Sequence, residues 1–442
     1  MYRRAIEHLK KWKEKTNRKP LIIRGARQVG KSWLMNELGR TCFKKVININ
    51  CDNNPRMVEA FSNGFCKEKL LLAFQAETGI KVTPDDSLII LDEIQEIPNA
   101  LKSLKYLNEQ ASEFHVIAAG SLLGIALHEG TSFPVGKVEY LDLYPLSFEE
   151  FLLAKKEQDL FDIVQSCNFE LAKVFKTKLI DLLKEYYYVG GMPEVVDSFI
   201  NNKDFSEVRT IQERILFDYE QDFSKHAPKE IVPRIRALYN SLPKQLAKEN
   251  KKFIYGLVKE GARAREYEIA LSWLIDCGLL HRVDLVTKPE LPLKSYVDGK
   301  AFKLYSSDIG LLGASAGIEA RSIIEGNKLF TEFKGSMTEQ YVLQQLKSTC
   351  EITPFYWSSE KSTAEIDFLF QLNSVIYPLE VKAETNLKAK SLKVFCEKFE
   401  NKNAIRISMS DYKQEKTLTN FPLYKINSLR KYLGKKISTY LA

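Results

Sequence analysis

The sequence predicts an α/β chain in three parts: a parallel sheet at the N-terminal side, a helical linker, and a second α/β domain. Three observations lead there. Short apolar runs alternate with helical patterns over residues 20–153, the signature of βαβ units. From about Asn168 to Leu280 the apolar spacing is almost wholly helical, broken near Gly190-Gly191, Pro228 and Pro243. Residues 351–409 then return to short strands. The boundaries expected are 1–165, 166–295 and 296–442.

Taken in order, residues 1–19 carry eight Lys or Arg, with Ile6, Leu9 and Trp12 on one helical stripe. A solvated helix packing that stripe on the next domain is expected. Leu21–Arg24, Lys45–Asn50, Leu88–Asp92 and Phe114–Ala119 read as short buried strands. Arg263–Leu280 places Tyr267, Ala270, Leu271, Leu274 and Gly278 at helical spacing, and His281–Val286 follows as a strand. A helix leading into a β-wing suits a winged helix, which serves either as a groove reader or as a plain linker. Trp273 is read as core. Further on come a strand-like run Phe302–Tyr305, a helix near Thr338–Lys347, and strands at Thr353–Trp357, Glu365–Phe370, Val375–Lys382 and Asn403–Ser408.

Composition bounds the function. Over 442 residues, 45% hydrophobic and 28% charged content is that of a globular protein. The first twenty residues hold no apolar core, so a secretory signal is not expected, and no stretch approaches the ~18 apolar residues that span a bilayer. A cytoplasmic location without membrane contact is the expectation. Seven cysteines (Cys42, Cys51, Cys66, Cys167, Cys277, Cys350, Cys396) are scattered with no CxxC pair, against a disulfide framework or a zinc site. The net charge of +8 permits contact with DNA or RNA without requiring it.

The chemistry concentrates first at Gly25-Ala26-Arg27-Gln28-Val29-Gly30-Lys31-Ser32, which follows a strand and opens a helix. This is GxxxxGK[ST], in which backbone N–H groups and a helix N-terminus hold phosphates. Lys31 would reach the β- and γ-phosphates of ATP, and the Ser32 hydroxyl would ligate Mg²⁺. Asp92 and Glu93 end the run Leu88–Leu91, 61 positions after Lys31. Asp92 would hold the Mg²⁺, and Glu93 would act as general base on the attacking water. The fold expected is therefore a P-loop NTPase of the additional-strand kind. In that arrangement Phe114–Ala119 inserts between the two motif strands and delivers Ser121 beside the γ-phosphate as a sensor. Lys137, Arg24 and Arg27 are candidate cationic contributors. An acid after Asp92 suits water activation better than transfer to a small-molecule acceptor.

LIIRGARQVGKS, LIILDEIQEIP, AAGSLLG, LDLYPLSFEEF and YVGGMPEVV together resemble a family of bacterial and archaeal AAA-type ATPases. Members carry a C-terminal domain of unknown function related to the PD-(D/E)XK nucleases. The resemblance continues through REYEIALSWLIDCGLLHRV, FKLYSSDIGLL and EIDFLFQLNSVIYPLEVKA, nearly the whole chain. It implies an ATPase module, a helical or winged-helix linker and a nuclease-like end. Family members usually have an arginine where this chain has Lys137, so the resemblance does not extend to a cis arginine finger.

The C-terminal part has a constellation of its own. Glu380 follows Asp367 by 13 residues, and Glu380 and Lys382 share a strand face. Asp367 and Glu380, with Glu339 from the preceding helix, would hold a second divalent metal, while Lys382 orients or deprotonates a water. Solvated strand-end charges, or an inactive nuclease-like fold, are the other readings. Lys388, Lys390, Lys393, Lys398 and Lys402 would track a phosphate backbone or form a solvated helix face. The expected function is an ATP-driven switch coupled to a nuclease-like domain acting on nucleic acid. The alternative is a nucleotide-sensing protein whose C-terminal fold cuts nothing and binds a protein partner or a second copy of the chain.

Overall fold

The structure, a computed structural model, describes residues 1–442 apart from 63, 65, 98, 121–133, 135, 249–250, 325–330, 360–362, 384–389 and 442. The chain divides into two compact units, Tyr2–Tyr144 with Ser272–Leu279, and Pro145–Leu271 with Leu280–Ala442. The second unit takes in both the helical stretch and the strands after it.

The first unit runs α1 (Ala5–Lys13), β1 (Leu21–Arg24), α2 (Lys31–Cys42), β2 (Lys45–Asn50), α3 (Pro55–Ser62), α4 (Lys67–Thr78), β3 (Ser87–Asp92), α5 (Ala100–Gln110), β4 (His115–Ala119) and β5 (Glu139–Asp142). Its sheet is parallel, in the order β2-β3-β4-β1-β5. β4 therefore lies between β3 and β1, as the additional-strand reading requires. β3 is buried along its apolar length and β4 throughout, which is why both read as continuous apolar runs. β5 was not foreseen: its four residues alternate half-buried and exposed at the sheet edge. Ile22, Ile47, Ile89, Leu91 and Val116 are among the residues that form the core. On α1 the Ile6, Leu9 and Trp12 stripe is buried, as expected.

The second unit opens with helices α6 (Phe148–Ala154), α7 (Gln158–Gln165), α8 (Phe169–Val174), α9 (Lys176–Val189), α10 (Pro193–Asn202), α11 (Phe205–His226) and α12 (Val232–Leu246). Helix α13 (Ala264–Asp276) starts in this unit and ends in the first. Then follow β6 (Leu280–Val286), β7 (Val297–Ser306), α14 (Ile309–Ser315), α15 (Ala320–Ile324), α16 (Thr331–Ser348), β8 (Phe355–Ser358), β9 (Glu365–Leu372), β10 (Val375–Val381), α17 (Lys390–Phe399), β11 (Ala404–Ser408), β12 (Lys413–Gln414), β13 (Leu418–Pro422) and α18 (Leu429–Leu441). All eight of these strands share one mixed sheet, in the order β12-β13-β11-β10-β9-β8-β6-β7. Strand β6 after α13, which covers the expected wing strand His281–Val286, pairs with β7 and joins this sheet through β8.

Several quoted motifs build this unit rather than a reaction site. Ser147 and Glu150 of LDLYPLSFEEF form a capping box at the start of α6. Asp308 accepts the Gly191 N–H at 2.7 Å and the Leu311 N–H at 3.0 Å, joining YVGGMPEVV to SSDIGLL. Gly190 has φ +74°, and a Cβ there would stand 2.2 Å from the Asp308 Oδ1, so only glycine fits the joint. Among the described residues no helix is long and apolar enough to cross a membrane.

Candidate nucleotide site

β1 ends at Arg24 and the chain turns through Gly25 at φ +149°. A Cβ at Gly25 would meet the Leu143 carbonyl oxygen at 2.2 Å, so the first loop glycine is required by close approach of the segment after β5. Gln28 and Gly30 take left-handed backbone angles, φ 66° and 92°, and Gly30 is the N-cap of α2. A loop curled this way turns successive N–H groups inward, the concavity that binds phosphate oxygens. Gly25, Ala26, Arg27, Gln28, Val29, Gly30, Lys31 and Ser32 therefore occupy the strand–loop–helix placement expected of them. Arg3, buried at the head of α1, donates to the Val29 carbonyl at 2.7 Å and the Tyr144 carbonyl. This loop brace carries no local sequence signature.

Lys31 is buried, and its ammonium donates to the Gly25 carbonyl at 3.0 Å and the Ala26 carbonyl at 2.8 Å. Burial lowers its pKa to about 8, against the pull of Glu93 and Asp92. The Ser32 hydroxyl is near enough to Asp92 to favour its charged form. Two segments 61 positions apart thus meet through the two groups expected to share Mg²⁺. Burial raises the Asp92 carboxyl, and the Ser32 hydroxyl opposes that. Asp92 Oδ1 also accepts the Glu93 N–H at 3.1 Å, which steadies the turn after β3. Glu93 has left-handed angles, φ 49° and ψ 45°, and its carboxylate accepts from Gln95 Nε2 at 2.7 Å. A hydroxyl and a carboxylate that bear on one another, with an ammonium that feels the same carboxylate, are a donor set suited to Mg²⁺ coordinated by a triphosphate.

The turn after α13 adds a wall not anticipated from sequence. Ser272–Leu279 belongs to the same unit as the loop, and a Cβ on Gly278 would stand 3.1 Å from the Ala26 nitrogen. Cys277 is among the groups that bear on Lys31. Trp273 is buried, as expected of a core residue. Gly278, which the sequence pattern places on the helix, lies instead just past its end at Asp276, with a left-handed φ of 73°.

Other candidates fare differently. Ser121 lies outside the described residues. Lys137 pairs with Glu109 at 2.9 Å, and Arg24 pairs with Asp142 at 2.8 Å while its guanidinium stacks over Tyr140.

In the second unit, the expected divalent-metal site of Glu339, Asp367 and Glu380 is not shown. Among the described residues no group of three His, Cys, Asp or Glu is placed to hold a metal ion. Glu339 on α16 is ion-paired with Lys251, and its second oxygen accepts from the Tyr305 hydroxyl at 3.2 Å. Asp367 on β9 accepts the Val381 N–H at 2.7 Å. Burial, then Glu339, pushes the Asp367 carboxyl up to about 7. Glu380 pairs instead with Lys382 at 2.6 Å, as their shared strand face allows, and its other oxygen is buried without a hydrogen-bond partner among the described residues. Lys388 lies outside the described residues; Lys390, Lys393 and Lys398 fall on α17.

Residues 17–152 match the AAA domain family. Residues 180–322 match a domain of unknown function (DUF8612), and residues 334–426 another (DUF4143). No curated protein matches the chain. Among solved structures, the Walker-type ATPase PABY2304 of Pyrococcus abyssi is similar at 14% identity and a TM-score of 0.42, over 70% of this chain and 95% of that one. The Aeropyrum pernix ORC1 protein in complex with DNA is similar at 11% identity and a TM-score of 0.27, over 71% and 90%. Cdc6p from Pyrobaculum aerophilum follows at 11% and 0.24, over 70% and 88%. The AAA match and the sheet order support an AAA-type ATPase.

Proposed function

We propose that the chain is an ATP-driven switch, in which the N-terminal unit binds and hydrolyses MgATP and the nuclease-like C-terminal unit is the output. The observation that carries this is the buried Lys31 ammonium, held on the Gly25 and Ala26 carbonyls of the loop and drawn electrostatically by Asp92 and Glu93. The loop amides from Gly25 to Ser32 hold the β-phosphate, and Lys31 bridges β- and γ-phosphate oxygens. Mg²⁺, when bound by Ser32 and Asp92, neutralises charge building on the leaving ADP. Glu93 accepts a proton from water as its oxygen attacks the γ-phosphorus; the bond to the β–γ bridging oxygen breaks, giving ADP and inorganic phosphate. Gln95 donates to the Glu93 carboxylate and so orients it. Ser121 is proposed as the sensor of the γ-phosphate.

The output is proposed to engage DNA or RNA, a reading supported by the net charge of +8. A second reading, binding of a protein partner or a second copy without cleavage, is favoured by the ion pair that occupies Glu339. The test of the ATPase reading is Glu93→Gln. It should bind MgATP within about twofold of wild type yet lose turnover at least about a hundredfold, the usual size of a general-base contribution. Wild-type turnover in that variant would remove Glu93 from the role.

A further inference from the structure

The acidic cluster of the C-terminal unit is filled from within. Lys251 lies just after α12, and its side chain and that of Glu339 are 10% and 8% exposed. The backbone that delivers it is pinned. The Phe253 N–H donates to the Phe302 carbonyl at 2.8 Å, and the Phe253 and Phe302 rings stack at 5.3 Å. The Gln245 amide clasps Ile254 from both sides, donating to its carbonyl at 2.8 Å and accepting its N–H at 3.0 Å. A second ammonium, Lys303 on β7, is fully buried; it pairs with Glu365 and lies 4.9 Å from the centre of the Tyr356 ring. Glu339 and Asp367 both bear on Lys303 electrostatically. Despite burial, Lys251 and Lys303 hold the Glu339 carboxyl below its ordinary range.

We infer that Lys251 takes the place of a divalent cation beside Glu339, so that the cluster is a latent metal site which admits a cation only when that ammonium is removed. The residues present do not fit a metal. Both Glu339 oxygens are engaged, one by an ammonium and one by a hydroxyl. Two ammonium groups against the carboxylates of Glu339, Glu365 and Asp367 leave at most one negative charge. A dication entering such a buried, nearly neutral cluster would face two fixed positive charges at low dielectric. Glu380, the third expected ligand, is already paired with Lys382. With Lys251 in place, this cluster therefore supports no metal-dependent strand cleavage. Its acidic residues keep their places because each is matched by a lysine or a backbone N–H, and removing one partner alone would strand a buried charge. This inference stands on the C-terminal geometry and does not rest on ATP hydrolysis.

The test uses the nucleotide-free full-length chain with Mn²⁺ alone as the probe, counting bound ions by electron paramagnetic resonance. Wild type and Asp367→Asn should bind equal amounts of Mn²⁺. Lys251→Ala and Lys251→Met, the second keeping most of the side-chain volume, should each bind one ion more. Mn²⁺ should raise the melting temperature of these two variants alone, and adding Glu339→Gln should abolish both effects. A wild-type Mn²⁺ equivalent lost in Asp367→Asn would overturn the inference even if the Lys251 variants failed to fold. So would Mn²⁺-dependent DNA cleavage by wild type that Asp367→Asn removes. Folded Lys251 variants with no extra ion would overturn it equally. ATP turnover that is lost in Glu93→Gln and kept in Lys251→Met separates this inference from the ATPase reading.

Discussion

Gly278→Ala, set against Gly79→Ala, tests whether the turn after α13 shapes the nucleotide loop. Both glycines are in the same unit and at nearly the same left-handed angle, φ +73° and +71°. Alanine at either costs about 1–2 kcal/mol of stability from backbone strain alone. Around Gly79 no atom lies within 4 Å of the added Cβ, whereas at Gly278 the Cβ stands 3.1 Å from the Ala26 nitrogen and 3.6 Å from the Gly25 carbonyl carbon. The loop must give by a few tenths of an ångström, and the carbonyls of Gly25 and Ala26 are the two that hold Lys31. Misplacing a charge-assisted hydrogen bond by that much costs about 1 kcal/mol, a fraction of its full worth. MgATP affinity, measured by calorimetric titration, should fall about fivefold in Gly278→Ala and stay unchanged in Gly79→Ala. Equal affinities in the two variants, with similar melting temperatures, would refute the reasoning.

The remaining predictions concern charge. Lys31→Ala should weaken ATP binding by at least about 1.5–3 kcal/mol, the worth of hydrogen bonds to a charged group; unchanged affinity would count against the loop assignment. Burial holds Lys31 at about 8 in the empty protein, and only its ammonium form attracts phosphate. Affinity should therefore drop as pH rises past 8, by about tenfold per unit up to the lysine's pKa in the complex; a flat profile from pH 7 to 10 would contradict this. Lys251→Met should leave MgATP affinity at the wild-type value, since Lys251 lies in the other unit.

What could be read in the sequence follows from range. Gly25–Ser32 and Asp92-Glu93 were legible because each motif is contiguous and its chemistry restricts every position. The parallel sheet was legible because β3 and β4 are covered on both faces and so read as apolar runs. β5 was not, because Glu139, Tyr140, Leu141 and Asp142 alternate at an edge. The reach of Arg3 to Val29, and of Lys251 to Glu339 across 88 positions, leaves no periodic or compositional trace. Asp367, Glu380 and Lys382 were found by spacing, but spacing is blind to which counter-ion arrives from elsewhere. A carboxylate satisfied by a distant lysine looks, along the chain, the same as one awaiting a metal.

The central claim is that Ser32 and Asp92 act on one magnesium ion held by one triphosphate. Its most direct test is a double-mutant cycle of Ser32→Ala and Asp92→Asn, read as MgATP affinity by calorimetry. Residues that share an ion couple, so the double variant should lose at least about 1 kcal/mol less than the two single losses added together. Strict additivity, with each substitution weakening MgATP independently of the other, would contradict the account.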